Sequence, residues 1–387
     1  ILKNAAALTP ASLLIACAFA APVHAADDGG AIRSVVDAAI RPVMEKNTIP
    51  GMAVGVIVGG KSHVFEYGVA SRDTGRAITP TTIFEVGSVS KTFVATLASY
   101  AQVKGRLSFS DKVEKYLPAL KGTAFGDVPL LHLATHTAGG FPLQVPDEVK
   151  TDDQLTAYLK RWKPAYDIGT TRTYANPSIG MLGVITARAM KKDFSALMEE
   201  DLFPAMGLTG TYINVPESRM ADYAQGYSSK DKPSRVSRAV LSAEAYGVKT
   251  TVTDMVRVMQ ANMNMVKLDA NLQQAITNTH AGYFKAGDMT QDLLWEQYAY
   301  PVALDALRLG NSPQVSLEPV PVEAIDPPLA PRDDVLINKT GSTNGFGAYV
   351  AFVPERQLGI VILANKYYPN TERIELAHEI LTKLDAR

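Results

Sequence analysis

Apolar runs of strand length stand at the two ends of this chain, and segments with helical spacing fill the stretch between them. That distribution constrains the fold strongly, because each run must bury its apolar face against another element. Near the start, Met52 to Val58 and Val64 to Ala70 are joined by Gly59-Gly60-Lys61-Ser62, which predicts an antiparallel hairpin with a glycine turn. Near the end, Val335 to Asn338, Gly347 to Val353 and Leu358 to Ala364 have strand character, with Pro354 to Gln357 as the last turn. Val35, Val36, Ala39, Ile40 and Val43 predict a helix over 30–47, and Ile374, Ala377, Ile380, Leu381 and Leu384 predict an amphipathic helix over 371–384. The middle predicts helices over 88–104, 152–162, 177–190, 194–203, 252–265 and 271–279. Six prolines within 312–332 predict an irregular connector. The economical architecture is an α/β fold of the α+β type. One antiparallel sheet is built from 26–85 and 332–387, flanked by helices, with a largely helical region over 86–331 beside it.

The first 25 residues have a different character. Lys3, an apolar stretch from Ala5 to Ala21 and the small-x-small site Val23-His24-Ala25 describe a secretory signal peptide cleaved after Ala25, which predicts export to the periplasm. No methionine precedes Ile1, so the initiating residue is expected upstream. Cys17 is the sole cysteine and lies inside this segment, so residues 26–387 hold no disulfide, thiolate metal site or cysteine nucleophile. Leu14-Ile15-Ala16-Cys17 loosely matches a lipoprotein cleavage box, the alternative export route.

With 38 basic and 39 acidic residues and a net charge of −1, the chain carries no electrostatic footprint for nucleic acid or an anionic membrane. Two motifs are decoys. Gly55 to Ser62 satisfies the phosphate-loop spacing, but the strand-like run after it supplies no helix N-terminus to cradle phosphate. His132 and His136 stand four apart, yet no glutamate follows His132 and no third ligand is near, so no metal or other cofactor is expected.

Ser88-Val89-Ser90-Lys91 is different in kind. At i and i+3 on a helix the hydroxyl and the amine share a face, and an amine of lowered pKa can take or relay the serine proton. The helix N-terminus adds a partial positive field for a developing oxyanion. Tyr174-Ala175-Asn176 precedes Pro177 and a new helix, so a phenol and an amide can face a cleft. Lys339-Thr340-Gly341 ends a strand, from which Lys339 can point toward the helix bearing Ser88, while Gly341 lets substrate approach the backbone closely. Each motif alone is weak, but their joint occurrence in this order is not.

These three motifs, in this order and at these separations, resemble those of the class C β-lactamases, the AmpC-type cephalosporinases of the β-lactamase/transpeptidase fold. Leu131-His-Leu-Ala-Thr, Thr137-Ala-Gly-Gly, Pro142-Leu-Gln-Val-Pro, Ala243-Glu-Ala-Tyr-Gly-Val-Lys and Leu363-Ala-Asn-Lys extend the resemblance over nearly all of 26–387. The resemblance implies that Ser88 opens a β-lactam, cephalosporins above all, through an acyl-enzyme and so confers antibiotic resistance. It implies an oxyanion hole from the Ser88 and Ser342 amides, and proton transfer shared by Lys91, Tyr174 and Lys339. It places Asn176, Gln144 and Tyr246 around the substrate's amide side chain, and Lys339, Thr340 and Asn370 near its carboxylate. The family commonly has Asn where this chain has Tyr367, and Tyr where it has His136. The expected partner is a small-molecule β-lactam, with no nucleic acid, no membrane after signal cleavage, and a monomeric state. The alternatives on the same fold are a DD-peptidase or a serine esterase.

Overall fold

The computed structural model describes Ile1 and residues 28–386. The expected signal peptide, with Cys17, lies outside the described residues. The helices that concern the site are α1 (Asp28–Lys46), α2 (Ser90–Val103), α3 (Asp152–Arg161), α4 (Asn176–Met190), α5 (Ser242–Tyr246), α6 (Val252–Asn262), α7 (Ala270–Asn278) and α8 (Asn370–Asp385). The main sheet comprises β1 (Gly51–Val58), β2 (Lys61–Gly68), β3 (Gly282–Ala286), β4 (Met289–Gln291), β5 (Glu296–Ala299), β6 (Glu323–Leu329), β7 (Val335–Ser342), β8 (Gly347–Val353) and β9 (Leu358–Ala364).

Its nine strands run in the spatial order β6-β3-β4-β5-β7-β8-β9-β1-β2, with every neighbouring pair antiparallel. The two ends of the chain join toward the β2 edge of this sheet, where Met52 of β1 pairs with Ala364 of β9. Apolar runs without polar alternation are what a sheet covered on both faces requires. The pleat divides them: Ala53, Ile57, Val350, Phe352, Val361 and Leu363 enter a core shared with α2, α4 and α6. Their neighbours Val54, Val56, Tyr349, Ala351, Ile360 and Ile362 enter a second core under α1 and α8.

Three expectations need correction. The first hairpin turns on two residues, not four. Gly59 and Gly60 both have positive φ (53° and 82°), Val58 pairs with Lys61, and Lys61 and Ser62 already belong to β2. Two consecutive left-handed residues match the twist of the strands they join.

Second, the sheet does not come only from the chain ends, since β3, β4, β5 and β6 all lie within 282–329. Their buried positions include Gln291, Glu296 and Gln297, polar residues that break the apolar alternation by which strands are recognised.

Third, the proline-rich connector is ordered: it forms a short helix over Pro313–Leu317 and then β6. β6 is an edge strand, where an imino nitrogen costs no ladder bond, and its register with β3 shifts between Ala324 and Leu329, the stretch that holds Pro327 and Pro328.

Candidate active site

Where the end of β7 meets the start of α2, three segments distant in sequence converge. A 3-10 turn over Gly87–Val89 leads into α2, so Ser88 stands just before the α-helix and not within it. The spacing still acts as expected: Lys91 Nζ donates to Ser88 Oγ at 2.9 Å and to the Ala245 carbonyl of α5 at 3.0 Å. Ser90 Oγ accepts from Val248 N–H at 3.0 Å, tying α2 to the segment after α5.

Two glycines permit the approach of β7 to this turn. Gly87 has φ 50°, and a Cβ there would fall 2.3 Å from the Ser342 carbonyl oxygen. A Cβ on Gly341 would fall 2.0 Å from Val86 O and 3.0 Å from Ser88 N. Gly341 therefore serves the contact between strand and turn, a role that the sequence reading did not foresee. The same contact brings the backbone of Ser342 against the nucleophile turn.

On β7, Lys339 shares a face with Val335 and Ile337, whose side chains belong to the core under α2. Its Nζ lies 3.6 Å from Glu296 Oε1, and the same oxygen accepts from Arg172 Nη2 at 2.9 Å. All three side chains are buried, so a carboxylate between two cations satisfies charges that would otherwise be costly.

Tyr174 lies just before α4, which starts with Pro177 in its first turn. Lys91 Nζ and Lys339 Nζ each stand 5.1 Å from the centre of its ring, and the Arg172 guanidinium stands 5.5 Å away. Tyr174 Oη is buried and makes no formed hydrogen bond. Burial opposes ionisation of this phenol, but the charges of Lys339 and Lys91 and the nearby Ser88 hydroxyl outweigh it, bringing the phenol down to about 8. Burial also pushes the Lys91 amine below its ordinary value, only partly offset by Tyr174. A serine, an amine whose charge burial disfavours and a phenol whose pKa is lowered form a proton-transfer cluster.

Above this cluster opens a cavity of about 320 Å³, lined by Ser88, Gln144, Asn176, Tyr246, Ser342 and Tyr367 among others. Asn176 Oδ1 is buried without a hydrogen-bond partner, available to a ligand amide. Thr340, Gly341 and Asn370 do not line this cavity. Thr340 belongs to the opposite face of β7 from Lys339. Asn370 opens α8 and is tied to the site through Arg373, whose Nη1 donates to Asn370 Oδ1, Ser342 Oγ and the Gly341 carbonyl.

The sequence reading missed Arg172, Glu296 and Arg373, and the exposed Arg235 on the cavity wall. Only Arg373 left a signal, three residues after Asn370 on a predicted helix. The two histidines four apart have separate roles: His132 Nδ1 bonds Thr137 Oγ1 at 2.8 Å, while the His136 ring packs 4.5 Å from the Tyr174 ring.

A β-lactamase family model matches residues 36–384. The chain belongs to the β-lactamase family. It is 51% identical to a β-lactamase of Pseudomonas fluorescens over 354 residues, covering 92% of this chain and 99% of that one. A class C β-lactamase solved in complex with cefoxitin superposes with a TM-score of 0.90 at 48% identity, covering 92% of this chain and 99% of that one. A structure described as the D-alanine carboxypeptidase AmpC of Burkholderia cenocepacia gives 0.89 at 53%, with the same coverage. This β-lactamase thus has the class C fold, a hydrolase architecture acting on β-lactams.

Proposed function

We propose that this class C β-lactamase hydrolyses its substrate through a covalent ester on Ser88, with cephalosporins favoured. The observation that carries the reading is the 2.9 Å bond from Lys91 Nζ to Ser88 Oγ, beside a phenol held between two ammonium groups. In acylation the Ser88 oxygen bonds to the lactam carbonyl carbon while its proton passes to Lys91 or Tyr174. The lactam C–N bond then breaks, and the proton goes to the departing nitrogen. The amides of Ser88 and Ser342 hold the oxyanion, a contribution of about 10²–10³-fold per donor. In deacylation Tyr174 takes a proton from water, the water oxygen attacks the ester, and Ser88 recovers its hydrogen as the ester bond breaks.

Gln144, Asn176 and Tyr246 receive the substrate's amide side chain, while Lys339, with Thr340 and Asn370 on its strand and neighbouring helix, faces the carboxylate side. The reading includes no metal or cofactor, a monomer, and export to the periplasm, where such an enzyme confers resistance. Among the described residues no helix is long and apolar enough to cross a membrane.

Turnover of a chromogenic cephalosporin tests the reading. Wild-type protein is expected to hydrolyse it, and Ser88→Ala to lose about 10⁶-fold in rate and show no acyl adduct by intact mass. An adduct persisting on Ser88→Ala would remove the nucleophile from the scheme. Because one structural relative is described as a D-alanine carboxypeptidase, a D-alanyl-D-alanine peptide belongs in the same assay. Release of D-alanine faster than cephalosporin turnover would favour the peptidase reading.

A further inference from the structure

His136 has three features that the reaction scheme leaves unused. It is 1% exposed, its backbone is left-handed at φ 60°, and its Nε2 is buried without a partner. Its hydrogen bonds converge on one short segment. The His136 carbonyl accepts from Thr173 N–H at 2.9 Å, and its Nδ1 accepts from Ala175 N–H at 3.3 Å. Those amides flank Tyr174, and the His136 ring lies against the Tyr174 ring with centroids 4.5 Å apart.

We propose that His136 is a positioning residue for Tyr174. By holding the amides on both sides of residue 174, it fixes the backbone from which the phenol projects and keeps the ring equidistant, at 5.1 Å, from Lys91 and Lys339. The imidazole must stay neutral to do this, because a backbone N–H can only donate and Nδ1 must therefore accept, leaving the proton on Nε2. The surroundings enforce that form: burial, then the charges of Arg172, Lys91 and Lys339, push the imidazole well below its ordinary value. A protonated ring would lose the acceptor and add a further positive charge beside the phenol.

The inference rests on Tyr174 as the proton carrier, and the experiment separates the two. His136→Gly keeps the left-handed backbone and removes the acceptor. His136→Asn keeps an acceptor oxygen near the place of Nδ1 and is also at ease at positive φ. The readouts are kcat and KM for a chromogenic cephalosporin, the pH profile of deacylation, and the thermal midpoint. His136→Gly is expected to lose about 10²-fold in kcat, the scale of an ångström of misplacement, with KM changed much less. Its pH limb should move from near 8 toward the ordinary phenol value of about 10, and His136→Asn should restore both kcat and limb.

Wild-type kcat and limb in His136→Gly overturn the inference, as does a kcat loss that follows a fallen thermal midpoint with the limb unmoved. If His136→Gly does not fold, His136→Asn decides, and a displaced limb in that folded variant overturns the amide clamp. Wild-type turnover by Tyr174→Phe defeats the proton-carrier reading and this inference together. A slow Tyr174→Phe beside a wild-type His136→Gly defeats this inference alone.

Discussion

The adjacent strands β8, β9 and β1 and the neighbouring pair β5 and β7 are both largely buried but held by different means. In the first group almost every side chain is apolar, and the two faces fill two separate cores. In the second, Arg172, Glu296, Asn338 and Lys339 are buried beside one another, and hydrogen bonds take the place of apolar contact. Arg172 Nε donates to Gln291 Oε1 at 2.7 Å, and Asn338 Nδ2 donates to the Glu296 carbonyl at 2.8 Å. The apolar strands set how firmly the molecule is folded. The polar pair sets where the charges around Tyr174 stand. Stability and chemistry are therefore carried by adjacent strands of one sheet, and substitutions should separate them.

The largest effect on stability is expected from Phe352→Ala. This side chain is fully buried among His280 and Trp295, and its loss should destabilise by about 3–5 kcal/mol in chemical denaturation. The kcat of the folded fraction should remain near wild type, and a large fall would break the division between the two groups of strands. Arg172→Met should come next, near the lower end of the ~3–5 kcal/mol for breaking a buried ion pair, because Lys339 still faces Glu296. Unlike the first variant it should also slow turnover, and a loss of stability with unchanged kcat would show the charged cluster to be scaffolding only.

The smallest effect sharpens the comparison most. In the proposed scheme deacylation uses the ionised phenol, so its rate should rise with pH and level off above about 8 in the wild type. Lys339 is the stronger of the two cations favouring that ionisation, so Lys339→Gln should move the limb to higher pH. A single-turnover pH series reads the shift directly, and an unmoved limb would separate the titrating group from Tyr174.

The same contrast explains what could be read from the sequence. The helices α2, α4, α6 and α8 and the strands β1, β8 and β9 announce themselves by spacing and apolar runs, since their partners are interchangeable hydrocarbon. Ser88, Lys91, Tyr174 and Lys339 stand in recognisable local patterns, and the fold brings them together. β5 gave no such signal, because Glu296 is held by a partner that sequence cannot locate: Arg172 is 124 positions from the carboxylate it pairs with. The packing role of Gly341 was hidden for a related reason, since the atoms that forbid a Cβ there belong to Val86, Ser88 and Val89, far away in the chain. The sequence set the His132/His136 spacing aside as a metal pair but gave no sign that the His136 backbone is left-handed or that its ring bonds residue 175.

The meeting of β1 with β9 also dictates an order of events during biosynthesis. Nucleophile and amine are translated in the first quarter of the chain, whereas Lys339, the Ser342 amide and Arg373 arrive only with its last fifty or so residues. A nascent chain emerging from its exit tunnel or translocation channel thus carries the reactive serine without its electrostatic frame. The site is complete only once β7, β8 and β9 have followed and β9 has docked beside β1.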